Sequence, residues 1–535
     1  MQTTCIKWAV RLNIPMGVRA GGAGLSARPR GARLKANGPV AGRAGAVRLE
    51  PGPRGADIPP MQSTTMRPWV TVLCTVLLAA LGSYLFLAPG HGEHLGGLRY
   101  PGESAGRMME RHLDFYEGYR QVPRWQRAFF DFLFGQRKDV STQAIGTYRE
   151  VLSYFGTHPN DATPWAELNT RARLLVTLAE TGRRRQLVAG LARLGDSPEQ
   201  EVLGDAIRYA YGLGPVDATP EEIRYGMHLL PLGWASDRLA LRVAERAGDT
   251  RAIAHIERRL DARGEKARER LLWLAGLIGA ALLGGVLLWW RGGVRARPAG
   301  WAEGPARAPW TLGEGYAVIV RAGLLGLLGL FVFSQFAHSY FRPGVVASWA
   351  TLFASLPMVW LIHRRLLRPH GRRLATSLGL TLRGVGAWRL AKISLAVLAL
   401  EWGGSLCIAW LGWKVGLQAH WSEAVYERAI FGPWQTTVLG GINAVIWAPL
   451  FEEIGFRGLL YPTVRARFGV WAGIVASAVI FASLHLYSVA GFLAVLWSGL
   501  VFAWAYERYR SLLPGMIVHG AGNLLAVSTV VLFYR

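Results

Sequence analysis

Two patterns of apolar residues divide the chain: long uninterrupted runs, and stretches where apolar positions recur every third or fourth residue. Trp69 to Ala88 is apolar almost throughout and carries no charge. A run of about 20 such residues crosses a hydrocarbon core of roughly 30 Å as a helix. Comparable runs at 271–290, 316–339, 345–362, 388–413, 435–451, 470–487, 490–506 and 514–533 bring the predicted spans to nine. Between the first and second runs the pattern changes. In Ala166 to Leu194 and Leu239 to Leu260, Leu, Ala, Ile and Val are spaced three and four apart among Arg and Glu, the period of amphipathic helices. Glu180-Thr181-Gly182 and Ala247-Gly248-Asp249 predict turns between paired helices. The pairs are weakly similar to tetratricopeptide hairpins but lack a clean repeat of about 34 residues. The predicted fold class is all-α: a polytopic α-helical membrane protein with a helical soluble insert.

The expected organisation follows from these boundaries. Residues 1–66 are mostly Gly, Ala, Arg and Pro without apolar periodicity, so they are read as a disordered basic tail. They are either an Arg-rich targeting peptide or sequence ahead of a start at Met61 or Met66. Residues 67–90 form a first anchor, 91–270 a soluble helical domain, 271–292 a transmembrane helix and 315–535 a membrane core.

Composition supports a membrane protein: 51% of residues are hydrophobic and 22 are Trp, which argues against an ordinary soluble enzyme. A net charge of +25, with 54 Arg among 60 basic residues, raises nucleic acid as a partner. The distribution of charge removes it. Residues 91–270 hold 27 bases against 25 acids, and residues 271–535 hold 22 against eight, in short loops between apolar runs. With no basic domain, the expected partners are the lipid bilayer and a protein or peptide substrate, not nucleic acid.

Four Arg clusters sit in those loops: Arg291, Arg295 and Arg297; Arg364, Arg365, Arg368, Arg372 and Arg373; Arg465 and Arg467; Arg508 and Arg510. With nine spans all four fall on one face, which the positive-inside rule makes cytoplasmic. The N-terminus is then cytoplasmic and 91–270 extracytoplasmic, in a multi-pass protein of the cell inner (plasma) membrane. The three cysteines, Cys5, Cys74 and Cys407, are too scattered for a disulfide framework or a Cys zinc site. No Walker or dinucleotide fingerprint is present.

Chemistry therefore has to come from polar groups inside the membrane block, where an ionisable residue costs about 2.5–3.5 kcal/mol to insert and is a functional hypothesis by default. All eight acids after residue 270 are Glu, and five lie in loops or at span ends. Glu401, Glu452 and Glu453 remain. Adjacent carboxylates on a helix point about 100° apart, so Glu452 and Glu453 cannot face one spot through the same side of the helix. Glu453 and Arg457 are i and i+4 and can pair, leaving the other Glu for chemistry; the plain alternative is a span end followed by solvated charges. His485 follows Phe481 by one helical turn, and His519 precedes Asn523 by one turn. His338, His363, His370 and His420 are read as interfacial residues, and Glu401 as a packing or helix-pairing residue. At 1.5 Å per residue, Glu452 lies about 20 Å from Arg465, His485 up to about 27 Å from Arg467, and His519 and Asn523 about 12 and 18 Å from Ser511. Three helices can thus bring these groups to a similar depth.

Glu-Glu-x-x-x-Arg at 452, 453 and 457, Phe-x-x-x-His at 481 and 485, and His-x-x-x-Asn at 519 and 523, with Arg457-Gly458-Leu459-Leu460-Tyr461 flanking the first, resemble the three motifs of the CPBP intramembrane proteases, the CAAX protease and bacteriocin-processing or Abi family. The resemblance implies an α-helical membrane endopeptidase. It implies that Glu452 and His485 activate water, that His519 and Asn523 stabilise the oxyanion, and that Glu453 and Arg457 support the site. It does not choose among a prenylated CAAX peptide, a bacteriocin leader and a membrane-anchored regulator as substrate.

On chemical grounds a carboxylate can serve as general base, and His or Asn donors act strongly on a developing oxyanion. No Ser or Cys nucleophile is paired with a base. Glu452, His485 and His519 could supply three ligands to zinc or another divalent metal with one position open, or act without metal; no His-Glu-x-x-His helix is present. Two other readings stay open. One is a non-catalytic scaffold or bacteriocin-immunity-type protein that binds a partner through 91–270. The other is a secondary transporter with a Glu/His proton relay, although paired inverted halves are not evident.

Overall fold

The computed structural model describes residues 66–535 apart from 88–93, 119–121, 125, 129–130, 132–136, 196, 293, 295–307, 339–342 and 383–384. The expected tail lies outside the described residues, save Met66. Among the described residues every regular element is a helix and none is a strand. Six are long and apolar enough to cross a membrane: Thr250–Trp290, Leu312–Gly329, Ala387–Lys414, Trp434–Phe468, Val489–Tyr509 and Leu513–Tyr534. The chain is a multi-pass membrane protein. Of the other expected spans, the first and seventh are shorter apolar helices, Pro68–Ala80 and Val470–Ser483. The run at 345–362 forms helix Pro343–Leu361.

We number the helices α1 Pro68–Leu87, α2 Pro101–Glu117, α3 Arg137–Thr157, α4 Pro164–Glu180, α5 Arg184–Leu191, α6 Pro198–Tyr211, α7 Pro220–His228, α8 Trp234–Ala247, α9 Thr250–Trp290, α10 Leu312–His338, α11 Pro343–Leu361 and α12 Ala387–Lys414. The three sequence motifs fall on or beside α13 Trp434–Phe468, α14 Val470–Ser483 and α16 Leu513–Tyr534, with α15 Val489–Tyr509 between the last two.

The helices before the second span are short and sharply punctuated. Ser197 and Thr219 start α6 and α7 with capping boxes, each followed by a proline at the first helical position. Gly182 and Gly248, with φ of 69° each, make the turns that the sequence pattern predicts after α4 and α8. Two boundaries differ from expectation. No break separates helical domain from span at residue 270, because α9 runs through 41 residues as one helix. Nor does the span at 435–451 stop before the glutamates; α13 continues to Phe468 and holds Glu452 and Glu453 within it.

The helical domain also shares its hydrophobic core with the membrane block. Buried Val140, Tyr148, Leu239 and Leu260 belong to one cluster with Trp421, Ile430, Ala526 and Val530. This contact lies at the C-terminal end of α16. At its other end, Glu507 accepts from Arg465 at 2.9 Å and Arg510 at 3.0 Å, Tyr509 donates to the Val294 carbonyl at 3.0 Å, and Leu512 donates to the Leu378 carbonyl at 3.2 Å. The described parts of the four Arg-rich segments thus gather around one end of the bundle, and the helical domain covers the opposite end.

Candidate active site

The carboxylates sit where α13 departs from regular geometry. Its stretches Asn443–Trp447 and Ile454–Leu460 are π-helical and flank Ala448–Glu453. Each is followed two residues later by a proline. Pro449 and Pro462 lack the N–H groups that the Val445 and Gly458 carbonyls would accept in an α-helix, and widened turns of this kind gather at functional sites. Asn523 satisfies part of the loosened backbone, donating Nδ2 to the Ala444 carbonyl at 2.6 Å. Helix α16 can come this close because residue 520 is glycine: a Cβ there would stand 2.7 Å from the Val445 carbonyl oxygen.

Glu453 and Arg457 form the buried pair that their spacing predicts, at 3.0 Å and with side-chain exposures of 1% and 0%. The guanidinium also donates to the Gly499 carbonyl at 3.2 Å. Its carbon lies 4.4 Å from the centre of the Phe481 ring and 5.3 Å from that of Phe502, so aromatic faces replace part of its lost hydration.

His519 joins the two carboxylates. Its Nδ1 is 3.1 Å from Glu453 Oε1 and its Nε2 is 3.7 Å from Glu452 Oε2. The two glutamates diverge on the helix, as expected, yet one imidazole reaches both because its nitrogens point to opposite sides of the ring. Phe502 stacks on this ring at 5.3 Å.

His485 does not lie inside an apolar helix. Helix α14 ends at Ser483, and His485 stands in the turn that follows. Its Nδ1 meets the Phe481 carbonyl at 2.8 Å, which places the proton on Nδ1 and the lone pair on Nε2. Phe481 lies between the histidines, its ring 4.9 Å from His485 and 5.9 Å from His519.

The predicted residues are therefore joined unequally. Glu452, Glu453, Arg457 and His519 form one contiguous polar chain, His485 adjoins it through Phe481, and Asn523 lies one turn beyond His519. Among the described residues no group of three or more His, Cys, Asp or Glu side chains is arranged to hold a metal ion. Glu452, His485 and His519 therefore do not form the three-ligand metal site that the sequence allowed.

Sequence motifs do not mark Gly499 and Phe502, which hold Arg457 and His519 from α15; both are hidden within an ordinary apolar run. Glu401 is a helix-pairing residue: it accepts from the hydroxyls of Ser405 at 3.2 Å and of Ser498 on α15, and its carbonyl accepts from Trp497 at 3.1 Å. No curated protein and no solved structure matches the chain. Residues 434–525, which contain all three motifs, match the family model described as type II CAAX prenyl endopeptidase Rce1-like. At its C-terminus the chain carries a domain of the Rce1-like type II CAAX prenyl endopeptidase family.

Proposed function

We propose that the chain is an intramembrane endopeptidase that hydrolyses peptide bonds of membrane-associated proteins or peptides, with Glu452 and His485 activating water and His519 and Asn523 on the electrophilic side. The observation that carries this reading is the His519 imidazole set between Glu452 and Glu453 inside an apolar bundle. Arg457 engages Glu453, so the two carboxylates have different surroundings, and Glu452 is the one assigned to proton transfer. Glu452 takes a proton from water as the oxygen adds to the peptide carbonyl carbon. The carbonyl oxygen gains the negative charge and is met by donors from α16. Collapse restores the carbonyl and breaks the C–N bond, and the proton on Glu452 passes to the departing amine.

Within this reading the Arg-rich end faces the cytoplasm, the helical domain lies on the extracytoplasmic side, and the host membrane is the plasma membrane. The test is cleavage of membrane-protein peptides by the full chain in lipid nanodiscs, followed by mass spectrometry. Gln keeps the shape of Glu452 but cannot take the proton, so Glu452→Gln is expected to lose the ~10²- to 10⁴-fold that general base catalysis contributes. A Glu452→Gln protein that cleaves at near wild-type rate overturns the assignment.

A further inference from the structure

The turn bearing His485 is held in an unusual backbone conformation. Leu486 has a φ of 51°, the left-handed region that a leucine rarely occupies and that surrounding contacts must sustain. The next residues begin α15, with Ser488 as its N-cap. Glu423, from the loop between α12 and α13, completes that cap. Its Oε1 accepts from the Ser488 amide at 2.7 Å and from the His420 amide at 3.3 Å. A carboxylate at the start of a long helix also lies at the favourable end of its dipole. Residue 491 is glycine, and a Cβ there would collide with the second oxygen of Glu423.

The Glu423 loop is in turn fastened to the helical domain. Both oxygens of Glu150 on α3 are engaged by it, one by His420 Nε2 and the other by Trp421 Nε1 at 2.9 Å. The His94 ring stacks on His420 at 4.2 Å. Four residues past Glu423, Glu427 accepts from the Arg99 amide at 2.7 Å, and from the Tyr100 amide and Ser104 hydroxyl at 2.8 Å each. His420 thus does more than stand at a span end. It links two parts of the fold.

We propose that Glu423 is a positioning residue for His485, and that the helical domain acts on the catalytic centre through Glu150, the 420–424 loop and the Ser488 cap. The inference rests on the reading of His485 as part of the protease site. Without the Glu423 carboxylate the Ser488 amide loses its acceptor, the turn is no longer confined to the left-handed conformation, and His485 samples orientations away from the reacting water. A misplacement of about 1 Å can cost 10²-fold in rate. The loss falls on kcat, because neither Glu423 nor Glu150 meets the substrate.

Hydrogen–deuterium exchange of the full chain in nanodiscs tests this without relying on proteolysis. Glu423→Ala and Glu150→Ala, which remove the acceptor oxygens, are each expected to raise exchange across residues 484–492 by about tenfold or more. Glu221→Gln, on an exposed pair with Arg224 in the same domain, is expected to leave it unchanged. The first two variants should lower kcat of peptide cleavage with KM retained. Unchanged exchange at 484–492 in both variants overturns the proposal. Should Glu423→Ala fail to fold, Trp421→Phe removes one donor from Glu150 alone and must still raise exchange in that segment, and no rise there overturns the proposal equally. Raised exchange alongside a wild type that cleaves no peptide sinks the protease reading and leaves the coupling standing. Wild-type cleavage with exchange and kcat untouched by the variants does the reverse.

Discussion

The neighbouring glutamates separate by what each one touches. Glu453 is enclosed by Arg457 and His519, and removing one member of a buried ion pair costs about 3–5 kcal/mol because the other is left buried and uncompensated. Glu453→Gln is therefore expected to lower the yield and melting temperature of the purified protein, whereas Glu452→Gln leaves both near wild type and removes activity. Equal melting temperatures for the two variants would show that the Glu453 pair is not structural. At this scale the sequence is informative wherever chemistry depends on helical spacing: Glu453 with Arg457, and His519 one turn from Asn523. It is silent where partners come from another helix. Nothing in the run Val489–Tyr509 distinguishes Gly499 and Phe502 from their apolar neighbours, because a carbonyl and a ring face leave no mark in a hydropathy pattern. The bridging of both carboxylates by His519 is hidden for the same reason, being a property of two helices in contact.

Among the elements, α16 is fixed at both ends. Its start packs against the Arg-rich loops, and its last turn meets the helical domain, where His112 Nε2 lies 3.1 Å from the Tyr534 hydroxyl and Arg270 donates to the Leu532 carbonyl. Burial pushes the His112 pKa down from 6.5 to about 4. Between those values the unfolded chain binds a proton that the folded chain does not. The stability from keeping His112 neutral is thus complete above about pH 6.5 and falls as the pH drops toward 4, by at most about 1.4 kcal/mol per pH unit. Melting curves from pH 7.5 to 4.5 should show a steeper loss for wild type than for His112→Gln; parallel curves would refute the assignment. Helix identity was largely legible in the apolar periods, and the turns at Gly182 and Gly248 fell where the sequence placed them. Helix ends were not. A hydropathy run stops at the first charge, so 435–451 ended before glutamates that α13 carries onward, and 271–290 began after the polar first half of a continuous α9.

For the whole molecule, polarity of the bundle links charge to topology. The Arg-rich loops converge at one end, with Glu507 between Arg465 and Arg510, and the helical domain, nearly balanced at 27 bases to 25 acids over 91–270, covers the other. Lys and Arg in short loops are retained on the cytoplasmic side, whereas a larger domain crosses largely regardless of its charge. On the proposed orientation, which satisfies both, the helical domain lies outside; Glu150 and Glu427 of the chain hold the 420–431 segment to that domain. Single cysteines introduced in a background lacking Cys5, Cys74 and Cys407 test this in intact cells. A cysteine at Glu221, an exposed site on α7, should react with a membrane-impermeant maleimide added outside, and one at Arg467, in the last turn of α13, only after lysis. Labelling of the Arg467 site in intact cells, with the Glu221 site protected, would invert the protein. The helical domain would then meet the proposed site from the cytoplasm.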